Sequence, residues 1–287
     1  MRKLFFIVLT AVLVCTGCTK RIKIQNMDKF TVMKNSKSIT YQQFIKELSH
    51  CDVVFIGEKH DDSIAHYVEM KLTTDLYKTN GNNLTIAMEM FERDVQKILD
   101  NYLNKRIDEI EFLSNSRPWN NYKTDYRAII EFAKEKGLDV IAANVPRRIA
   151  NTVAMKGIES IDSLRKDNNF VAEKIDTLQP EYHKRFANTM KMIGKMGKMS
   201  VMNVNNFFYA QCIKDNTMAE SIYNYRKNHK QNLVLMMNGN FHSDFGLGIP
   251  YRLKILDSNV DIAIIHIMGV GEEIKKGQCD YLIIHNE

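Results

Sequence analysis

Several ionisable side chains directly follow short apolar segments of this 287-residue sequence. The segments cover residues 52–57, 84–89, 138–143 and 232–238, and the side chains at or just beyond their carboxyl ends are Glu58, His60, Glu89, Arg147 and His242. Carboxylates and imidazoles bind divalent cations and transfer protons, and a guanidinium stabilises a negatively charged oxygen. The set indicates acid–base or metal chemistry if the fold brings its members together.

The apolar segments have the length and composition of buried β-strands, and they alternate with segments of helical periodicity. Helical spacing occupies residues 66–77, 94–103 and 125–136, and Gly137 follows the last of these as a C-cap. Further strands are predicted at 260–267 and, at a sheet edge, at 281–285. This order predicts an α/β fold with a mostly parallel sheet flanked by helices, in which ligands bind beyond the carboxyl ends of the strands.

The interval between the third and fourth strands is too long for a single crossover helix. Residues from about 150 to 228 are therefore predicted to form a smaller all-helical subdomain, inserted into an α/β domain that covers 41–287. Methionines are concentrated in this insertion, at positions that include Met190, Met192, Met196, Met199 and Met202. Methionine side chains are flexible and suit both ordinary helix packing and contact with a planar ligand.

Two interpretations of the strand-end residues stay open. In the first, the acids and imidazoles bind a divalent metal, or His60 acts as a general base, and Arg147 holds a substrate carboxylate or oxyanion, which describes a hydrolase. In the second, Glu58 and Glu89 pair with Arg147 in a buried structural network, because buried charges need partners. Asp61 or Asp62 then serves as the N-cap of the following helix.

The amino terminus resembles a bacterial lipoprotein signal peptide over residues 1–17. Arg2 and Lys3 precede a short apolar run, and Gly17 comes directly before Cys18. We expect Cys18 to be lipidated and residues 18–40 to form a polar tether to the membrane surface. This predicts a lipid-anchored protein of the cell envelope, and Thr19 after the lipidated cysteine favours the outer membrane.

Composition and missing motifs exclude several other classes of function. The formal net charge is +6 without a dense run of lysine or arginine, which disfavours nucleic acid as a partner. Beyond the amino terminus, Cys51, Cys212 and Cys279 form no CxxC pair, and a glycine-rich phosphate loop and GxSxG are absent from the sequence. Redox dithiols, nucleotide binding and serine hydrolases with a nucleophile elbow are therefore disfavoured.

Five motifs together resemble one known family over residues 45–270. They are Gly57-Glu58-Lys59-His60, Glu89-Met90-Phe91-Glu92, Ala142-Ala143-Asn144-Val145-Pro146-Arg147, Asn238-Gly239-Asn240-Phe241-His242 and a segment from Ala210-Gln211 through Asp215 to Thr217-Met218-Ala219. In this order and spacing they resemble the ChaN-type haem-binding lipoproteins of the Tiki superfamily. The lipoprotein-like amino terminus agrees independently with this resemblance.

The resemblance implies a haem-binding protein of bacterial iron acquisition that forms a homodimer around two stacked haems. It also implies that a tyrosine of one subunit binds each iron and that a histidine and a lysine of the other meet the propionates. Because the sequence lacks CxxCH, the haem b would be bound non-covalently. An outer-membrane haem receptor is the partner that such a role implies.

The helical insertion supplies residues for these implied roles. Tyr182 is the first candidate for the iron ligand, because Tyr182, Phe186, Met190 and Ile193 share one helical face. Its rivals are Tyr209, Tyr122 and Tyr126, and the candidates for the propionates are His183 and Lys184. The sequence does not decide between these tyrosines.

Overall fold

The computed structural model describes residues 30–166, 170–196 and 204–285. The predicted signal peptide, Cys18, the first part of the tether, Met199 and Met202 lie outside the described residues, as do the side chains of Ile193 and Met196. The strands are β1 (Phe30–Lys34), β2 (Lys37–Ser38), β3 (Val53–Glu58), β4 (Leu84–Glu92), β5 (Val140–Asn144), β6 (Leu233–Gly239), β7 (Ile262–Gly269) and β8 (Tyr281–His285).

Helices connect these strands and cover the sheet. They are α1 (Tyr41–Leu48), α2 (Ser63–Asn80), α3 (Gln96–Leu103), α4 (Glu109–Ser116), α5 (Arg127–Lys136), α6 (Arg147–Lys156), α7 (Ile161–Lys166), α8 (Pro180–Met196), α9 (Val204–Arg226) and α10 (Ile249–Leu256). In the part of the chain that the structure describes, no helix combines the length and apolarity needed to cross a membrane.

One eight-stranded sheet runs through the molecule in the order β2-β1-β8-β7-β3-β6-β4-β5. The six strands from β8 to β5 are parallel to their neighbours, and β1 pairs antiparallel with both β2 and β8. Gly57 of β3 lies opposite Asn238 of β6 and His266 of β7, so the carboxyl ends of these strands meet at one edge. The predicted α/β fold with a mostly parallel sheet is confirmed.

The central strands are buried on both faces, which explains why they read as continuous apolar runs. Val54 and Ile56 pack against α1 to α5, and Val53 and Phe55 pack on the other side against α9 and α10. Each of these four side chains is fully buried. Burial of such side chains contributes about 1.5–3 kcal/mol apiece, so the sheet is a firm base for the residues at its edge.

Local signals at the helix ends are those that the sequence predicts. Asp62 caps α2 by accepting hydrogen bonds from the backbone amides of Ile64 and Ala65 at 2.9 and 3.1 Å. Gly137 ends α5 with a φ of +68°, in the left-handed region that favours glycine. Of the two aspartates predicted as caps, Asp62 is the one used.

Two predictions about the sheet edge are wrong. Within the predicted tether, residues 30–38 form β1 and β2 instead, and Phe30 and Val32 of β1 are buried with the period of two that a strand requires. The predicted edge strand at 281–285 exists as β8, but it lies inside the sheet because β1 covers it.

The segment between β5 and β6 is helical, as predicted, and contains α6, α7, α8 and α9. Its last helix also belongs to the core of the sheet domain, because Met218, Ala219 and Ile222 of α9 pack on Val234 and Met236 of β6. Helix α9 thus connects the helical segment to the sheet edge where the predicted site residues lie.

Candidate functional site

The strand-end acids and imidazoles come together, but in pairs that the sequence did not predict. Glu58 Oε1 lies 2.8 Å from Nδ1 of His60, and Glu89 Oε1 lies 3.2 Å from Nε2 of His242. Arg147 is exposed and joins neither carboxylate. The predicted pairing of Glu58 and Glu89 with Arg147 is therefore wrong, because imidazoles from neighbouring elements neutralise both acids.

A second histidine extends the Glu58 pair into the interior. His66 Nδ1 lies 3.1 Å from Glu58 Oε2 and 2.9 Å from Glu69 Oε2. Tyr126 donates a hydrogen bond to Glu58 at 2.5 Å, and Nε2 of His66 lies 3.2 Å from the backbone oxygen of His60. All of these side chains except His60 are buried.

Burial, hydrogen bonds and neighbouring charges determine the pKa values of Glu58, His66 and Glu69. Burial works against the charged forms, but bonds to His60 and His66 lower the pKa of Glu58 to about 2, and bonds to Glu58 and Glu69 raise that of His66 to about 11. Burial and repulsion from Glu58 raise the pKa of Glu69 well above its usual range. These interactions favour the charged forms of Glu58 and His66 and the protonated form of Glu69.

Among the described residues, one group of side chains has metal-ligand spacing, and it is Glu58, His66 and Glu69. The predicted metal set of Glu58, His60, Glu89 and His242 does not have this spacing, because each of its acids is turned towards a different imidazole. The four predicted ligands at the strand ends are therefore not arranged as a metal site in the described residues.

A further hydrogen-bond chain links the sheet edge to the helical segment. Tyr182 donates to Asp215 Oδ2 at 2.7 Å, and Asp215 Oδ1 lies 2.5 Å from Nδ1 of His242. Burial disfavours a charged imidazole, but the charges of Glu89 and Asp215 raise the pKa of His242 to about 9. Burial likewise opposes the charge on Glu89, but His242 lowers the pKa of that carboxyl far below its usual range.

Two neighbouring groups together make up what we call the rim network: Glu58, His60, His66 and Glu69 in the first, and Glu89, Asp215 and His242 in the second. The backbone amide of Gly239 completes it by donating to Glu89 Oε2 at 2.8 Å. A β-carbon at Gly239 would lie 2.9 Å from Nε2 of His60, which is closer than real contacts. Glycine at this strand end therefore lets the imidazole of His60 lie against β6.

Two clefts border the rim network. The apolar cleft, of about 370 Å³, lies between α8 and the strand ends and is lined mainly by Phe186, Met190, Gln211 and Phe241, with His60 and His242 at its base. The polar cleft, of about 890 Å³, is open and is lined by residues that include His60, Glu89, Trp119, Arg147 and Lys214. His60 borders both clefts, and its ring lies 4.5 Å from that of Trp119.

The predicted iron ligand Tyr182 lies behind the wall of the apolar cleft. Its side chain is fully buried, and burial together with Asp215 raises its pKa well above the usual value. Gln211 separates the phenol from the cleft and donates to its oxygen at 3.2 Å. Tyr182 stays a prediction as the iron ligand, and in this conformation Gln211 has to move before a ligand reaches the phenol.

The rival tyrosines occupy three different environments. Tyr209 is half-buried on α9, whereas Tyr122 is fully buried in the main core with Phe91 and Phe112. Tyr126 is buried as well and serves the rim network through Glu58. Of the three, Tyr209 alone lies in the helical segment.

The predicted propionate ligands lie on α8 near Tyr182. His183 is half-buried and its Nε2 lies 3.1 Å from the side-chain oxygen of Asn205. Lys184 is exposed. Because Lys184 precedes Phe186 by two residues, it points about 200° away from Phe186 around the helix and cannot reach the apolar cleft of its own chain.

The roles of Glu69, Tyr126 and Asp215 as partners of the strand-end residues were not predicted from the sequence. Glu69 follows His66 by three residues, the spacing at which helix side chains meet. Asp215 stands between Lys214 and Asn216 on α9 and is fully buried, so it needs a partner. The spacing of His66 and Glu69 is visible in the sequence once α2 is placed, whereas the burial of Asp215 is seen only in the structure.

Comparison with known proteins gives the class to which this site belongs. A family model described as "Haem-binding uptake, Tiki superfamily, ChaN" matches residues 44–253, which cover most of the chain and all of the rim network. The chain therefore belongs to this family.

One solved structure supports the same fold. A structure described as cofacial heme binding to ChaN of Campylobacter jejuni aligns with a TM-score of 0.72 at 21% identity and covers 90% of this chain and 97% of that one. A mutant of erythromycin esterase EreC aligns with a TM-score of 0.49 at 12% identity, over 85% of this chain and 78% of that one, a similarity too low to bear on function.

One curated relative is similar over part of the chain. Protein RETICULATA-RELATED 5, a chloroplastic protein of Arabidopsis thaliana, is 26% identical over 131 residues, which are 42% of this chain. The matched region spans only 17% of that plant protein.

Proposed function

We propose that this protein binds haem b non-covalently and serves iron acquisition at the bacterial cell envelope. The observation that carries the proposal is the apolar cleft, within a chain that belongs to the haem-binding uptake family. Phe186, Met190 and Phe241 offer aromatic and thioether surface to a flat macrocycle, and the clefts beside the rim network have the size of small-molecule sites.

The iron ligand in this proposal is a tyrosine of the helical segment. A phenolate is an oxygen donor of the kind that some haem proteins use as an axial ligand. Tyr182 lies one side chain behind the cleft, and displacement of Gln211 gives the phenol a path to the iron. Tyr209 is the alternative from the same segment, because it is half-buried and requires no break in the Asp215 bond.

A haemin titration followed by absorbance tests both statements. The purified protein should show a saturable high-spin ferric spectrum at about one haem per chain. Tyr182→Phe should change this spectrum, whereas the matched variant Tyr209→Phe should retain it. The reverse result would assign the ligand to Tyr209, and wild-type protein that stays colourless with excess haemin would overturn the proposed function.

The proposed assembly is a homodimer that encloses two stacked haems. In it, His183 and Lys184 serve the propionates of the partner's haem, which agrees with the outward direction of Lys184 on α8. The solution mass should double on loading with haemin. An unchanged mass would overturn the dimer and leave haem binding in place.

The proposed location follows from the amino terminus. Lipidation at Cys18 would hold the domain at the outer membrane, where a haem receptor is the expected partner. In the bacterium, Cys18→Ala should abolish labelling with palmitate and move the protein out of the membrane fraction. Retention in that fraction without label would contradict lipid anchoring.

The alternative, a metal-dependent hydrolase, is not favoured by these findings. The family match points to haem, and the acids and imidazoles of the rim network already neutralise each other. No described observation favours turnover of a peptide or an ester over binding.

A further inference from the structure

The innermost part of the rim network has a composition that its hydrogen bonds alone do not explain. It consists of Glu58 at the end of β3 and of His66 and Glu69 on α2, and we call these three residues the inner triad. One ligand atom from each lies within 4.8 Å of the other two. All three side chains are buried, so their charges have to be balanced by protons or by a bound ion.

Two carboxylate oxygens of the inner triad accept no hydrogen bond from any residue that the structure describes. They are Oε2 of Glu58 and Oε1 of Glu69. Glu69 is fully buried and Glu58 is only 3% exposed, and buried polar atoms in folded proteins nearly always have a partner. Because Oε2 of Glu58 lies 3.1 Å from Nδ1 of His66, it faces the other members of the inner triad. This lack of a donor indicates an ion that the three side chains share.

The ring of His66 has the orientation of a metal ligand. Its Nε2 lies 3.2 Å from the backbone oxygen of His60, which only accepts hydrogen bonds, so Nε2 carries a proton. Its Nδ1 is directed at the carboxylates of Glu58 and Glu69. Histidines that bind metals usually donate their other ring N–H to a carbonyl or a carboxylate in this way. The ring of Tyr126 packs edge-on against that of His66, with 4.7 Å between the ring centroids, and holds its plane.

The carboxylate of Glu58 is fixed from its other side. Tyr126 donates to Oε1 of Glu58 at 2.5 Å, and Nδ1 of His60 lies 2.8 Å from the same oxygen. These two partners leave Oε2 as the oxygen that Glu58 presents to the inner triad. Partners that orient a ligand from behind are a regular feature of metal sites.

The chemistry of the inner triad matches a divalent transition metal. Two carboxylic acids and one imidazole are neutral as a group either with their two acidic protons or, when both are lost, with one divalent cation, because a metal replaces the protons of its ligands. One imidazole nitrogen together with carboxylate oxygens suits Zn²⁺, whereas Mg²⁺ and Ca²⁺ prefer oxygen ligands alone. Zn²⁺ is commonly held by three side chains, with water as the fourth ligand.

We propose that the inner triad binds one divalent transition-metal ion, with Zn²⁺ as the first candidate, through Oε2 of Glu58, Nδ1 of His66 and a carboxylate oxygen of Glu69. The ion joins the end of β3 to α2 beneath His60. The site is separate from any haem iron and does not depend on the proposed function. It shares only Glu58 with the metal set that the sequence predicts at the strand ends.

Equilibrium dialysis of the haem-free, full-length protein against Zn²⁺, followed by metal analysis, tests the proposal. Wild type should bind one Zn²⁺ per chain and should prefer it to Mg²⁺. Glu69→Gln keeps the shape of a protonated glutamate but removes a ligand. It should weaken Zn²⁺ binding by more than the roughly 10–100-fold that loss of an orienting partner costs. Tyr126→Phe removes only the phenol that orients Glu58 and should weaken binding about tenfold.

Two further variants locate the ion. His50→Gln is the matched control, because His50 is exposed and lies outside the rim network, and it should bind Zn²⁺ like wild type. Glu89→Gln represents the competing set at the strand ends and should also retain Zn²⁺.

Each contrary outcome is distinct from failure of the proposed function. Wild type without stoichiometric Zn²⁺, or Glu69→Gln with the affinity of wild type, would overturn the metal site. Loss of Zn²⁺ in His50→Gln or in Glu89→Gln, with Glu69→Gln unaffected, would place the ion elsewhere and also overturn it. If circular dichroism shows that Glu69→Gln does not fold, Tyr126→Phe decides, and unchanged affinity in that variant overturns the site. A failed haemin titration would leave the metal site in place.

Discussion

The rim network and the apolar cleft meet at His60 and His242, but they are built in opposite ways. The rim network lies at the ends of parallel strands, and its acids and imidazoles contact one another within 2.5–3.2 Å. The outer wall of the apolar cleft comes from one helix, α8, which presents half-buried Phe186 and Met190. One region pairs its charged groups with one another, although Glu58 Oε2 and Glu69 Oε1 accept no hydrogen bond, whereas the other region leaves apolar surface unmatched.

This difference indicates that the rim network positions the strand-end side chains, whereas α8 contacts the ligand. Buried charges that lose a partner cost several kcal/mol, so the rim network fixes the strand ends and their side chains in one arrangement. Half-exposed side chains on a single helix lose little when they shift, so α8 can adapt to a planar ligand. We therefore expect changes in the rim network to affect stability most and changes on α8 to affect binding most.

The largest expected effect is that of Asp215→Ala. Asp215 is fully buried and accepts bonds from Tyr182 while it pairs with His242, so its removal leaves a buried imidazolium and a buried phenol without their acceptor. The free energy of unfolding should fall by about 3–5 kcal/mol, measured by urea denaturation. Asp162→Ala, at an exposed position of α7, should change it by less than about 0.5 kcal/mol. Similar values for the two variants would contradict a rim network that fixes the strand ends.

A smaller effect is expected from pH, through His242. Folding favours its charged ring, because the raised pKa of about 9 exceeds the usual value of 6.5. The resulting stabilisation is complete below about pH 6.5 and is lost as the pH rises towards 9. Between those pH values, wild type should lose up to about 3 kcal/mol more unfolding free energy than His242→Gln.

Comparison with His242→Gln isolates this contribution. His66, whose pKa is raised to about 11, loses stabilisation over the same pH range in both proteins, so its effect cancels. Parallel stability curves for the two proteins would show that folding does not raise the pKa of His242.

The sequence alone predicts most of the sheet because the central strands are buried on both faces and read as continuous apolar runs. It fails at β1, where Phe30 and Val32 provide only two inward positions among polar and basic residues. That segment becomes a strand because β8 offers it a partner, and a partner so distant in the chain leaves no local signal. The position of β8 inside the sheet is missed for the same reason.

The candidate site shows the same limit. Parallel strands place Glu58, Glu89 and His242 at one edge, and this follows from the order of elements along the chain. The choice of imidazoles over Arg147 as partners depends on how α6 directs its first side chain, which no spacing in the sequence encodes. Burial of Tyr182 likewise follows from the packing of α8 on α9, not from its helical face.

The smallest effect on stability, with a large effect on binding, is expected for Phe186→Ala. The ring of Phe186 is half-buried and packs against Phe208 and Phe241 at centroid distances of 5.6 and 6.0 Å, so its loss should cost only about 1 kcal/mol of unfolding free energy. Removal of an aromatic wall from the apolar cleft should weaken haemin binding about tenfold, measured by titration. Met192→Ala is the control on the same helix, because Met192 is 63% exposed and does not line the cleft. If Met192→Ala weakened binding as much as Phe186→Ala, the haem would lie across the exposed side of α8, and the apolar cleft would not be its site.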